Sequence, residues 1–225
     1  KDFTVVGQQS AAFAAGNDLE IVEVPIADGG EGTVDALCTG LNGTKERVTV
    51  TGPLGAPVTS EYGIIDGTAI IEMSSAAGIT LIRAEERNPM LTTTYGVGEV
   101  IKDAIYKGCR SFIVGIGGSA TNDGGIGMLQ ALGFSLLDEN GKDVPFGAIG
   151  IKSLAKIDIT TALPELKECT FKVACDVTNP LCGENGAAKV FAPQKGADAG
   201  MVEILERNLS NFGKVAVASG IAANC

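Results

Sequence analysis

Three short segments of this sequence mix glycines with carboxylates, hydroxyls or amides, and each directly follows an apolar run of strand character. The densest is Gly115-Ile116-Gly117-Gly118-Ser119-Ala120-Thr121-Asn122-Asp123-Gly124-Gly125, after Phe112-Ile113-Val114. Glycines let a backbone close on a ligand, and successive N–H groups beside a helix start form an anion nest. Gly117, Gly118, Ser119, Thr121 and Asn122 are therefore candidates for holding a phosphate or a small acid. Asp123 is a candidate for binding a cation or taking a hydroxyl proton. With five glycines and four polar residues in eleven positions, an idle flexible turn is the weaker reading.

The second segment, Asp176-Val177-Thr178-Asn179-Pro180, follows Phe171-Lys172-Val173-Ala174-Cys175, which reads as a buried strand. An aspartate at the end of such a strand suits Mg²⁺ coordination or hydroxyl deprotonation, as in phosphoryl transfer. Thr178 and Asn179 add oxygens, although an Asx turn closing on Pro180 accounts for the same residues. The third segment, Asp28-Gly29-Gly30-Glu31-Gly32, follows Ile21-Val22-Glu23-Val24-Pro25-Ile26 and sets two carboxylates three residues apart. These residues either face a ligand or form an N-cap with a first-turn glutamate, and the sequence leaves the two readings even. Lys189 in Gly186-Ala187-Ala188-Lys189 and Lys195 in Pro193-Gln194-Lys195-Gly196 offer cations for a phosphate, though single lysines are more often solvated surface.

Composition excludes much other chemistry. The 225 residues contain no histidine, so no Ser-His-Asp or Cys-His nucleophile and no His-containing zinc site can be built. Proton transfer must use a carboxylate, Lys, Tyr or Cys. A formal net charge of −10, without a basic run, argues against nucleic acid and membrane-surface partners. The six cysteines include no CxxC pair and read as small buried residues of a reducing, cytoplasmic environment. Gly141-Lys142 and Gly213-Lys214 do not complete a Walker loop. Gly115-x-Gly117-x-x-Ala120, with Asp138 downstream, loosely fits the dinucleotide fingerprint, so an NAD(P)-dependent oxidoreductase is the competing reading.

The elements that must position these residues can be read from periodicity. Residues 47–73 alternate as antiparallel strands, with turns at Gly52-Pro53-Leu54-Gly55 and at Asp66-Gly67. Val97, Val100, Ile101, Ala104 and Ile105 stripe a helix that starts after Thr93 or Thr94 and stops at Gly108. A helix through Met128, Leu129 and Leu132, and another through Met201, Leu205, Leu209 and Phe212, flank further strands. Strands alternating with helices predict an α/β fold, in which ligands collect at the carboxyl ends of strands. The expected division is residues 1–46 with 205–225 as one domain and 47–204 as the other, the site lying between them.

The three segments, with Thr51-Gly52-Pro53-Leu54-Gly55, Asn88-Pro89-Met90-Leu91-Thr92-Thr93-Thr94-Tyr95-Gly96 and Phe191-Ala192-Pro193-Gln194-Lys195-Gly196-Ala197, resemble glycerate kinases of the glycerate 2-kinase type, in the family's order. The resemblance implies transfer of the ATP γ-phosphate to D-glycerate, giving 2-phosphoglycerate, with ATP and Mg²⁺ as cofactors and a monomeric or homodimeric protein. It implies two α/β domains, one flavodoxin-like and discontinuous, the other an inserted mixed-sheet domain similar to restriction endonucleases. On this reading Asp176 and Asp123 share the metal and hydroxyl activation. Asp28, Gly29, Gly30, Glu31, Thr92, Thr93, Thr94, Gly117, Gly118, Ser119, Thr121, Asn122, Thr178, Asn179 and Lys195 bind substrate or phosphate. Residues 1–20 match the family poorly and its later glycine-alanine segment is missing, so the chain reads as an incomplete member, for which a non-catalytic glycerate- or nucleotide-binding module is a third expectation.

Overall fold

Asp66 and Gly67 take φ of 47° and 75°, the left-handed pair that a two-residue hairpin turn requires. They join strands β2 (Pro57–Ile65) and β3 (Thr68–Glu72), while β1 (Thr44–Thr51) pairs antiparallel with β2. The computed structural model describes residues 29–222. Within it, β3 pairs in parallel with β4 (Ser111–Gly115), and β4 in parallel with β7 (Thr170–Ala174). The antiparallel segment is therefore continuous with the parallel strands in one sheet, ordered β1-β2-β3-β4-β7. Strands β5 (Ser135–Leu137) and β6 (Lys156–Asp158) form a separate antiparallel pair.

The helices, in chain order, are α1 (Thr33–Gly40), α2 (Ser74–Ala77), α3 (Tyr95–Tyr106), α4 (Ile126–Ala131), α5 (Ala148–Ile151), α6 (Ala187–Phe191) and α7 (Ala199–Ala218). Successive strand residues face opposite sides of the sheet, and the core follows that alternation. Ala69 and Ile71 pack with Val97, Val100, Ile101 and Ala104 of α3 on one face. Ile70 packs with Val34 and Cys38 of α1 on the other. A second core joins Leu205 and Leu209 of α7 to Ile126, Leu136, Ile151 and Ile157.

One expectation changes in the folded chain. Residues 171–174 lie in a strand, but not a buried one. Among the described residues β7 is the sheet's last strand, and Val173 is 59% exposed although Phe171 stacks on Phe112. Residues 46 and 47 both lie within β1, and residues 204 and 205 within α7. Among the described residues no helix is long and apolar enough to cross a membrane.

Candidate active site

The parallel strands β3, β4 and β7 end in register, with Glu72 opposite Gly115 and Gly115 opposite Ala174. This is the carboxyl end at which α/β sheets bind ligands. A cleft of about 640 Å³ opens there, lined by Gly30, Gly117, Gly118, Ser119, Asp176, Asn179 and Lys195 together with apolar residues and Gln194.

The glycine loop is held, not slack. The Gly118 carbonyl accepts from the Ile79 N–H at 2.9 Å, and the Ala120 N–H donates to the Ala77 carbonyl at 2.9 Å. The Gly117 N–H donates to the Gly29 carbonyl at 3.3 Å. A side chain at Gly115 would collide with that same carbonyl, so the close crossing of the two glycine turns needs glycine there. Ser119 bridges to Gly78, and the next helix begins only at Ile126. A dinucleotide fingerprint needs its helix to open at the glycines, so the oxidoreductase reading of Gly115-x-Gly117-x-x-Ala120 is corrected here.

Lys195 is the buried cation of the site, 7% exposed, whereas Lys189 lies at the surface and pairs with Glu184. The Lys195 Nζ donates to Ser119 Oγ at 2.7 Å and to the Thr121 carbonyl at 2.6 Å. An ammonium has three donors, so one remains for the cleft. Burial pushes its pKa down to about 8, against the pull of the Asp123 charge.

Asp123 does not line the cleft. It is 1% exposed, and its Oδ2 accepts from the Thr94 N–H and Thr94 Oγ1, both at 2.8 Å, and from the Gly127 N–H at 3.4 Å. Its Oδ1 accepts from the Gly125 N–H at 3.1 Å. Burial raises the carboxyl's pKa and these bonds oppose the rise. The carboxylate clamps the starts of α3 and α4 together, and with its oxygens so engaged it does not fit the expected metal role. Asp123→Asn turns one acceptor into a donor among donors, and is expected to lower stability by about 2 kcal/mol. Thermal melting checks this, and an unchanged midpoint would remove the clamp.

Thr92, Thr93 and Thr94, expected to offer hydroxyls to the cleft, are also buried behind it. Thr92 Oγ1 donates to the Ala120 carbonyl, Thr93 Oγ1 accepts from the Tyr95 N–H, and Thr94 serves Asp123. Thr121 and Asn122 are buried in the loop without lining the cleft, and Thr178 and Glu31 are exposed outside it. Asp28 lies outside the described residues. Asp176 is exposed at the cleft, and no hydrogen bond or ion pair among the described residues holds its carboxylate. The Asn179 Nδ2 donates to the Asn185 carbonyl at 2.8 Å, which leaves its Oδ1 for a ligand.

Sequence reasoning gave no role to Ile79, Ile116, Cys175, Phe191 and Gln194 of the lining, although all but Ile79 stand in segments quoted above. No group of three or more Cys, Asp or Glu among the described residues forms a metal cage. That suits Mg²⁺ only in its usual mode, with one or two protein ligands and the rest from phosphate and water.

A model of the glycerate kinase family matches residues 5–224. The glycerate 2-kinase of Escherichia coli (strain K12) is 51% identical over 200 residues, covering 88% of this chain and 52% of that protein. A glycerate kinase of Haemophilus influenzae is 52% identical over 201 residues, 88% of this chain and 53% of that protein. A crystal structure from Salmonella typhimurium LT2, provisionally assigned as glycerate kinase 2, superposes with a TM-score of 0.86 at 44% identity, covering 96% of this chain and 58% of that one. The chain spans about half the length of these relatives.

Proposed function

Because the chain belongs to the glycerate kinase family, we propose that its cleft serves transfer of the ATP γ-phosphate to D-glycerate, giving 2-phosphoglycerate. One observation carries the reading. Asp176 is the single carboxylate and Lys195 the single cation among the described lining residues, and both stand at the carboxyl end of the parallel strands. Phosphoryl transfer needs little more from a protein than positioning and charge neutralisation. Asp176 accepts the proton of the attacking hydroxyl. Lys195 faces the transferring phosphoryl group or the acid's carboxylate, with Gly117 and Gly118 allowing close backbone approach. Asp176 and Asn179 are the residues that would hold Mg²⁺, which neutralises triphosphate charge when bound.

The division into a discontinuous flavodoxin-like domain and an inserted mixed-sheet domain, and a monomeric or homodimeric state, belong to the same proposal. The test is ADP release by the full-length protein with D-glycerate and Mg-ATP, with the product identified as 2-phosphoglycerate. Heat of glycerate or nucleotide binding by titration calorimetry without ADP release would instead favour a non-catalytic binding module.

A further inference from the structure

Glu72 ends β3 at the same row of residues from which the cleft's loops depart, and it is 8% exposed. The chemistry proposed above makes no use of it, yet a buried carboxylate is costly unless its hydrogen bonds are made. They are made to a helix start 38 residues away. Its Oε1 accepts the Val34 N–H at 2.7 Å. Helix α1 has no side-chain cap of its own, because its N-cap position is Gly32 with φ of 96°. Glu72 therefore supplies from a neighbouring strand what an N-cap side chain supplies locally, with its charge against the positive end of the helix.

What enters that helix is the turn Gly29-Gly30-Glu31-Gly32. Three glycines in four residues allow many conformations, and ordering them is entropically expensive. Gly29 is tied at one end by its carbonyl to the Gly117 N–H. The other end is tied by Glu72. Between the two ties stands Gly30, which lines the cleft together with Asp176 and Lys195.

We infer that Glu72 is a positioning residue: its side chain anchors the Gly29–Gly32 turn so that the Gly30 wall of the cleft is formed before ligand binds. The inference rests on the kinase reading for its kinetic test but not for its structural one. A preformed wall serves ground state and transition state alike, so its loss raises KM with little change in kcat.

The experiment compares the full-length protein with Glu72→Gln, Glu72→Ala and Glu72→Asp. Glutamine keeps an acceptor oxygen at the same reach, alanine removes it, and aspartate withdraws the charge by one methylene. Expected is a rise of at least tenfold in KM for D-glycerate or for ATP in the Ala and Asp variants, with kcat within threefold and Gln within threefold of the parent in both constants. Amide hydrogen exchange at Val34 reads the anchor without turnover. It should speed up at least tenfold in Ala and Asp, and not in Gln, while β3 and β4 stay protected. If the parent protein phosphorylates no glycerate but this exchange pattern holds, the kinase reading fails and the anchor stands. Unchanged exchange in Ala and Asp, or Gln indistinguishable from Ala, overturns the inference. The Asp variant keeps the test decisive should Ala fail to fold.

Discussion

Asp176→Asn is expected to lower kcat of the full-length protein about a thousandfold while shifting its melting midpoint by no more than about 1 °C. Asparagine is isosteric but takes no proton, so it removes what is asked of Asp176 and little else. The stability half of the expectation follows from the site. Asp176 is exposed at the end of β7 and is held by no hydrogen bond or ion pair among the described residues, so the fold does not depend on it. A thousandfold loss corresponds to about 4 kcal/mol of transition-state stabilisation, the middle of the range that a positioned base contributes. Steady-state ADP release and a thermal melt decide the matter. A variant retaining more than a tenth of the parent kcat would show that the cleft activates the hydroxyl by other means. A midpoint lowered by many degrees would instead make Asp176 a structural turn residue.

Lys195→Met is expected to reduce kcat/KM about three-hundredfold, because it removes the cleft's buried cation while keeping the length and apolar stem of the side chain. The parent protein should carry the same dependence in its pH profile. The lysine's pKa stands at about 8 in the free protein, so the ammonium is present below that pH and is lost above it. Since kcat/KM reports ionisations of the free enzyme, it should fall as pH rises through about 8, and this limb should be absent in Lys195→Met. Stability moves the other way. Burial depresses the pKa of the folded state below the ordinary value of 10.5, so between about 8 and 10.5 the unfolded chain binds more protons. The folded state accordingly gains stability with rising pH across that window, relative to Lys195→Met. A kcat/KM profile that stays flat to pH 9.5 in the parent would separate Lys195 from ligand binding.

Much of this architecture was legible in the chain. The Asp66-Gly67 hairpin, the stripe of α3 ending at Gly108 and the glycine loop after β4 are local patterns, fixed by backbone preferences and by apolar period within a few residues. The rule that ligands meet the carboxyl ends of parallel strands then joined residues 116–119 with Asp176, Val177 and Asn179 in one cleft, and the motif order gave the family.

Which polar residue faces the ligand was not legible, because that depends on partners distant in sequence. Asp123 and Asp176 look alike as carboxylates in loops after strands. One is withdrawn because Thr94, 29 residues away, donates to it twice, and the other is left to the cleft because no described residue holds it by a hydrogen bond or ion pair. Lys195 and Lys189 are equally plausible cations in the chain, and only the 76-residue span to Ser119 brings one of them inside. Glu72 gives no local sign of a role, since the helix it caps lies 38 residues before it on a neighbouring layer. Periodicity and turn chemistry are short-range and survive in the sequence. Burial and hydrogen-bond satisfaction of a polar group are set by whichever segments the fold brings against it, so only the tertiary structure assigned those roles.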